Sequence, residues 1–273
     1  MKLAICNEVW RDQAIETVFE KAKRIGYDGV EVAAFTLADS VDEISADRRR
    51  AIARAAVDNG VVIVGLHWLL AAPKGLHLTT PDDAVRTRTI EYLKRLVNFC
   101  GDLGGRVMIL GSPQQRSIEP PNTFDDAWKR ARDGLAACAA TCADRGVTLC
   151  LEALAPAETN FVNTAEQALK LTGEVGHPNI GIMLDYKAIA TMPGGPSATI
   201  DKYGRYAKHF HANEPDGFAP GIKPGATDFA PVLTRLFETG FNGWVSVEPF
   251  DYKPDPDTVA ATACRTLRVA VPS

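Results

Sequence analysis

Two of the five histidines in this 273-residue chain stand two residues apart, in the segment HFHANEP from His209 to Pro215. Alternate residues of a strand share a face, so His209 and His211 are expected to point the same way. Three other short apolar runs each carry one acid at or near the end: Glu152 in VTLCLEAL, Asp185 in IGIMLDY and Glu248 in WVSVEPF. With His211 they follow one another at intervals of 33, 26 and 37 residues. Three carboxylates and an imidazole make an oxygen-rich donor set suited to Mn²⁺, Mg²⁺ or Co²⁺, with Zn²⁺ also compatible. Carboxylates gathered in one place repel strongly without a cation, which is a physical reason to expect one divalent ion among them. Taken singly, each acid reads as well as a rim residue or a helix cap, and each histidine as a packed core group.

Whether the four meet depends on the elements that carry them. Eight short β-branched runs alternate with longer charged amphipathic segments: 3–6, 29–33, 61–68, 106–112, 147–154, 180–186, 208–214 and 244–250. The helical segments tend to end in a glycine, at Gly26, Gly60, Gly104, Gly146, Gly176 and Gly240, the residue that most readily closes a helix C-terminus. The segment ATMPGGPSATIDKYG, rich in proline and glycine, has room only for a short helix starting near Ser197. Apolar strands joined by helical crossovers read as parallel βαβ units covered on both faces. A (β/α)₈ barrel takes about 250 residues, close to this length, and one such domain over residues 1–273 is the expected architecture. The competing doubly wound sheet would carry a glycine-rich loop after the first strand, where this chain reads ICNEVW. Barrel sites lie at the C-terminal strand ends, so intervals near one βα unit put Glu152, Asp185, His211 and Glu248 on consecutive strands. His209, about 7 Å deeper at ~3.3 Å per residue, is expected to support a ligand rather than be one.

The bulk properties narrow the function class. A net charge of −4 and a pI near 5.8 offer no electrostatic footprint for a nucleic-acid backbone. Six cysteines without a C-x-x-C pair suggest free thiols in a reducing cytoplasm. Cys138 and Cys142, four apart, are expected to be small core residues. The apolar run at the start is too short for a signal peptide, and the longest stretch, from Val61, falls short of a membrane span. A cytoplasmic protein with no membrane partner is expected.

The segments LEAL, MLD, HANEPDG and GWVSVEPF resemble those of the xylose isomerase-like barrels, in the sugar-phosphate isomerase/epimerase group that includes ketose 3-epimerases and hydroxypyruvate isomerase. The resemblance runs from YDGVEV to the last strand. It implies that Glu152, Asp185, His211 and Glu248 bind one divalent ion, with Mn²⁺ the first candidate, and that the substrate is a small sugar. It also implies that Glu158, six residues past the strand-five ligand, touches substrate, and that the chain forms a homodimer or homotetramer. Many relatives carry a substrate-contacting histidine where this chain has Ala188; Lys187 either takes its place or points to solvent. The arginine that epimerases often carry after strand seven is replaced by Lys223 alone.

The expected chemistry is proton transfer next to the carbonyl of an α-hydroxyketone, through an enediolate, with Glu152 and Glu248 as the two acid–base groups. In the first half of the chain, Trp10, Glu31, His67 and Trp68 are expected to contact the sugar, as is Glu8. A metal-dependent lyase or dehydratase acting on a keto-sugar, keto-inositol or 3-keto-glycoside shares the first step. An apurinic-site endonuclease fits poorly, given LGSPQQ at strand four, Ala188 and the negative charge. A sugar-binding barrel without catalysis is the remaining reading.

Overall fold

The computed structural model describes residues 1–272. Eight strands, β1 (Lys2–Cys6), β2 (Gly29–Ala33), β3 (Val62–His67), β4 (Val107–Leu110), β5 (Thr148–Glu152), β6 (Ile180–Asp185), β7 (Ala207–Ala212) and β8 (Trp244–Val247), form a closed parallel barrel in chain order. Pairing of β8 back onto β1, from Lys2 opposite Trp244 to Ile5 opposite Val247, closes it and excludes the open doubly wound sheet. The crossovers carry α1 (Ile15–Ile25), α2 (Ala46–Asp58), α3 (Asp83–Asp102), α4 (Phe124–Arg145), α5 (Ala165–Val175), α6 (Tyr186–Ile189), α7 (Gly195–Tyr203) and α8 (Phe229–Glu238), and α9 (Pro256–Ala270) follows the last strand. This is the expected (β/α)₈ barrel.

Local chemistry starts and stops these helices. Thr123 with Asp126, and Thr164 with Gln167, form reciprocal capping boxes at α4 and α5, satisfying backbone donors that the first turn leaves free. The six glycines expected after helices all take positive φ, among them Gly146 at 60° and Gly176 at 68°. Helix α7 begins at Gly195, two residues before the expected start, because Pro196 falls in the first turn, where its missing N–H costs nothing. A four-residue turn of helix, α6, precedes it and was not expected.

Two apolar layers result. Helix stripes pack on the outer face of the barrel, where Cys138 and Cys142 are fully buried as core residues. Inside, Ala4, Val64, Val107, Ile109, Cys150 and Met183, with Trp244, plug the lower lumen. Above this plug the lumen turns polar. Several strands end earlier than expected: β4 stops at Leu110 and β8 at Val247, with Glu248 one residue beyond. Their apolar sequences run on into loops that wall the barrel mouth, so hydrophobicity alone overstated the strand length. No helix among the described residues is long and apolar enough to cross a membrane.

Candidate active site

Glu152 and Asp185 are the last residues of β5 and β6, His211 is next to last in β7, and Glu248 directly follows β8. His211 Nδ1 lies 2.9 Å from Glu248 Oε2 and 4.0 Å from both Glu152 Oε1 and Asp185 Oδ2. One donor atom from each of the four falls within 4.8 Å of all the others. All four are buried, the most exposed at 5%. The strand ends therefore bring the four residues together.

The electrostatics of this cluster test whether a cation fits. Burial, then the charges of Glu248 and Asp185, push the Glu152 carboxyl well above its usual range. Burial, then Glu248, raises Asp185 to about 6. Burial opposes a charge on His211, but Glu248 and Glu31 outweigh it and raise its pKa well above that of a free imidazole. The cluster thus gathers protons to relieve its negative charge, and a divalent ion relieves the same charge. His211 Nδ1 is buried, makes no well-aligned hydrogen bond, and faces the three carboxylates, with Glu248 Oε2 nearest. The residues fit a metal ion.

Neighbouring groups hold these side chains in place. Asp185 Oδ1 accepts from the Ala188 N–H at 2.8 Å, and its Oδ2 accepts from Asn213 Nδ2 at 2.7 Å. Asn213 also donates to the Glu248 carbonyl at 3.2 Å and accepts from the Lys187 N–H at 2.9 Å, joining three strand ends. Two further residues carried no signal in the sequence. Arg116, 1% exposed, donates to the Glu152 carbonyl at 2.6 Å, and burial lowers its pKa to about 10. At Gly111, a Cβ would stand 2.2 Å from Glu152 Oε2, so only glycine leaves that carboxylate its space.

A narrow cleft opens over the cluster, lined by Glu152, Glu248, His67, Trp68, Glu158 and Phe250 among others. His67 is hydrogen-bonded to Glu8. Trp68 and Ser112, both on the cleft wall, hold positive φ values of 51° and 38°, backbone strain of the kind concentrated at functional sites. Lys187 is half-buried and paired rather than free in solvent: its Nζ is 2.6 Å from Glu158 Oε1 and 5.2 Å from the centre of the Phe250 ring, at the cleft rim.

Two expected sugar contacts lie elsewhere. A 3₁₀ turn over Asn7–Trp10 carries the Trp10 indole into the helix layer, where its N–H donates to Asp257 of α9 at 2.6 Å beneath Lys21 of α1. Glu31 is fully buried below the cluster, because it sits mid-strand rather than at a strand end. There its Oε2 is 2.8 Å from His209 Nε2, and both its oxygens are 3.3 Å from His211 Nε2. His209, also fully buried, has its ring 5.1 Å from that of His211, edge-on, and bonds to Glu31 instead.

The fold and the site define a (β/α)₈ barrel with a buried carboxylate–imidazole cluster at its C-terminal mouth. The family model for xylose isomerase-like TIM barrels matches residues 19–269, and the chain belongs to that family. It is 25% identical over 281 residues to a probable ketose 3-epimerase of Synechocystis sp., covering 100% of this chain and 91% of the relative. It is 28% identical over 237 residues to the D-psicose 3-epimerase of Ruminiclostridium cellulolyticum, covering 85% of this chain and 76% of the relative. A crystal structure of D-psicose 3-epimerase in the presence of D-fructose superposes with a TM-score of 0.85 at 22% identity, over 99% of this chain and 98% of that one.

Proposed function

We propose that the protein is a divalent-metal-dependent sugar epimerase or isomerase that moves a proton on the carbon beside the carbonyl of an α-hydroxyketone. The observation carrying this reading is that Glu152 and Glu248, from nonadjacent strands, share one buried cluster of potential metal donors and one cleft. The relatives named as ketose 3-epimerases support inversion at one carbon over migration of the carbonyl.

The oxygen-rich donors favour Mn²⁺, with Mg²⁺, Co²⁺ and Zn²⁺ accommodated by the same set. Held by Glu152, Asp185, His211 and Glu248, such an ion supplies Lewis-acid stabilisation of the charge left by the departing proton. One of the two glutamates takes that proton, and the other delivers a proton to the opposite face of the same carbon. A positioned base or acid of this kind contributes about 10²–10⁴-fold. Glu158 and Lys187, paired at the rim, present a carboxylate and an ammonium to the sugar hydroxyls. Trp68 and Leu154 form the apolar side of the cleft and keep water from the reacting carbon.

Product analysis in D₂O tests this, using metal-loaded protein with ketoses, keto-acids and 3-keto-glycosides. Deuterium entering beside the carbonyl with all groups retained is the expected result. Loss of water from the product would make the protein a dehydratase. No exchange with any substrate, in protein of confirmed metal content, would overturn the proposal.

A further inference from the structure

Of the chain's five histidines, three surround one carboxylate. Glu31 reaches His209 Nε2 at 2.8 Å and His211 Nε2 at 3.3 Å, and the nearest approach of His67 Nδ1 is 3.9 Å. Cys6 Sγ adds a weak contact to the same carboxylate at 3.9 Å. Glu31, His209 and His211 have no exposed surface, so these contacts cannot be traded for solvent. Strand β2 does not neighbour β7, and Glu31 therefore meets both histidines across the lumen. The ladder is irregular at both places: the β2–β3 register shifts between Val30 and Glu31, and the β6–β7 register shifts between Ile182 and Leu184, opposite the stretch that carries His209. Such irregularities re-aim side chains.

We propose that Glu31 is a positioning residue for the metal site. By accepting the Nε2–H of His211, it holds that imidazole in the tautomer whose Nδ1 lone pair faces Glu152, Asp185 and Glu248. A carboxylate behind a ligating histidine fixes both its ring orientation and its basicity. His209 donates to the same oxygen that His211 approaches, and so pins the Glu31 carboxylate from the other side. The route from His209 to the ligand runs through Glu31, since the two imidazoles share no hydrogen bond. The inference rests on the metal reading above.

Calorimetric titration of Mn²⁺ into wild type, Glu31→Gln and His209→Gln tests it without any turnover. Affinity is expected to fall about 10–100-fold in Glu31→Gln and less in His209→Gln, where the Glu31–His211 bond survives. Wild type that binds no divalent ion would remove the metal reading itself. Wild-type affinity in a folded Glu31→Gln, with the wild type binding normally, would overturn only the role of Glu31. The ¹⁵N shifts of His211 in the Mg²⁺-loaded wild type need no variant. Protonated Nε2 is expected, and protonated Nδ1 would contradict the proposal.

Discussion

The two halves of the barrel contribute to the mouth in different ways. Strands β5 to β8 each deliver one side chain of the cluster, from the last residues of the strand or the residue just after it. Strands β1 to β4 deliver none of the four; they supply the surroundings instead. Glu31 lies below the cluster against His211, His67 and Trp68 form a wall, and Gly111 leaves room for the Glu152 carboxylate. On the proposed function, one half carries the chemistry, and the other sets the shape and protonation in which that chemistry operates. The contrast predicts that substitutions of the cluster residues in the second half abolish function, whereas those of the surrounding residues in the first half weaken it.

The largest effect is expected from Glu152→Gln or Glu248→Gln. Steady-state kinetics should show turnover reduced by at least about 10²-fold, with substrate binding reduced much less. Full activity in either variant would remove that residue from the chemistry. Next comes Gly111→Ala, where the added methyl must displace the Glu152 carboxylate. A drop in kcat on the order of tenfold or more is expected, since small misplacements of a reacting group are costly. Gly173→Ala is the control, because nothing stands within 4 Å of its added carbon; it should leave the rate unchanged.

The four-residue cluster was legible in the sequence because each polar residue interrupts an apolar run, and consecutive barrel strands are neighbours. The fold was legible for a related reason: apolar runs alternate with helical segments eight times, and six of those segments end in a glycine. Cross-barrel contacts leave no such mark. Nothing near Glu31 in the sequence indicates that His209 and His211, far along the chain, will meet it. Gly111 and Arg116 are equally silent, since their importance lies in the distance to Glu152. Trp10 misled for a local reason: the chain after β1 turns into a 3₁₀ helix, which swings the indole out of the lumen.

A moderate effect is expected from pH. Burial and Glu248 raise Asp185 to about 6, and burial with Glu248 and Asp185 raises Glu152 well above its usual range. His211 also holds its proton more tightly than a free imidazole. An incoming ion must displace these protons, so affinity falls as pH drops and rises as pH increases. Each displaced proton changes the apparent Mn²⁺ affinity about tenfold per pH unit, and titrations at several pH values would measure this. A pH-independent affinity would mean that the ion does not enter this cluster. The smallest effect belongs to Trp10→Phe. Its lost bond to the Asp257 carboxylate and the smaller buried ring should cost about 1–3 kcal/mol of stability in denaturant melts, with kcat and KM unchanged. A raised KM would return Trp10 to the substrate.

The central claim is that Glu152 and Glu248 act on opposite faces of one carbon. It is tested most directly by incubating Glu152→Gln and Glu248→Gln, each with verified metal content, separately with the two epimers of a substrate in D₂O. Each variant is predicted to exchange the proton of one epimer and not the other, with opposite preferences. The same preference in both variants, or undiminished exchange of both epimers, would contradict the account.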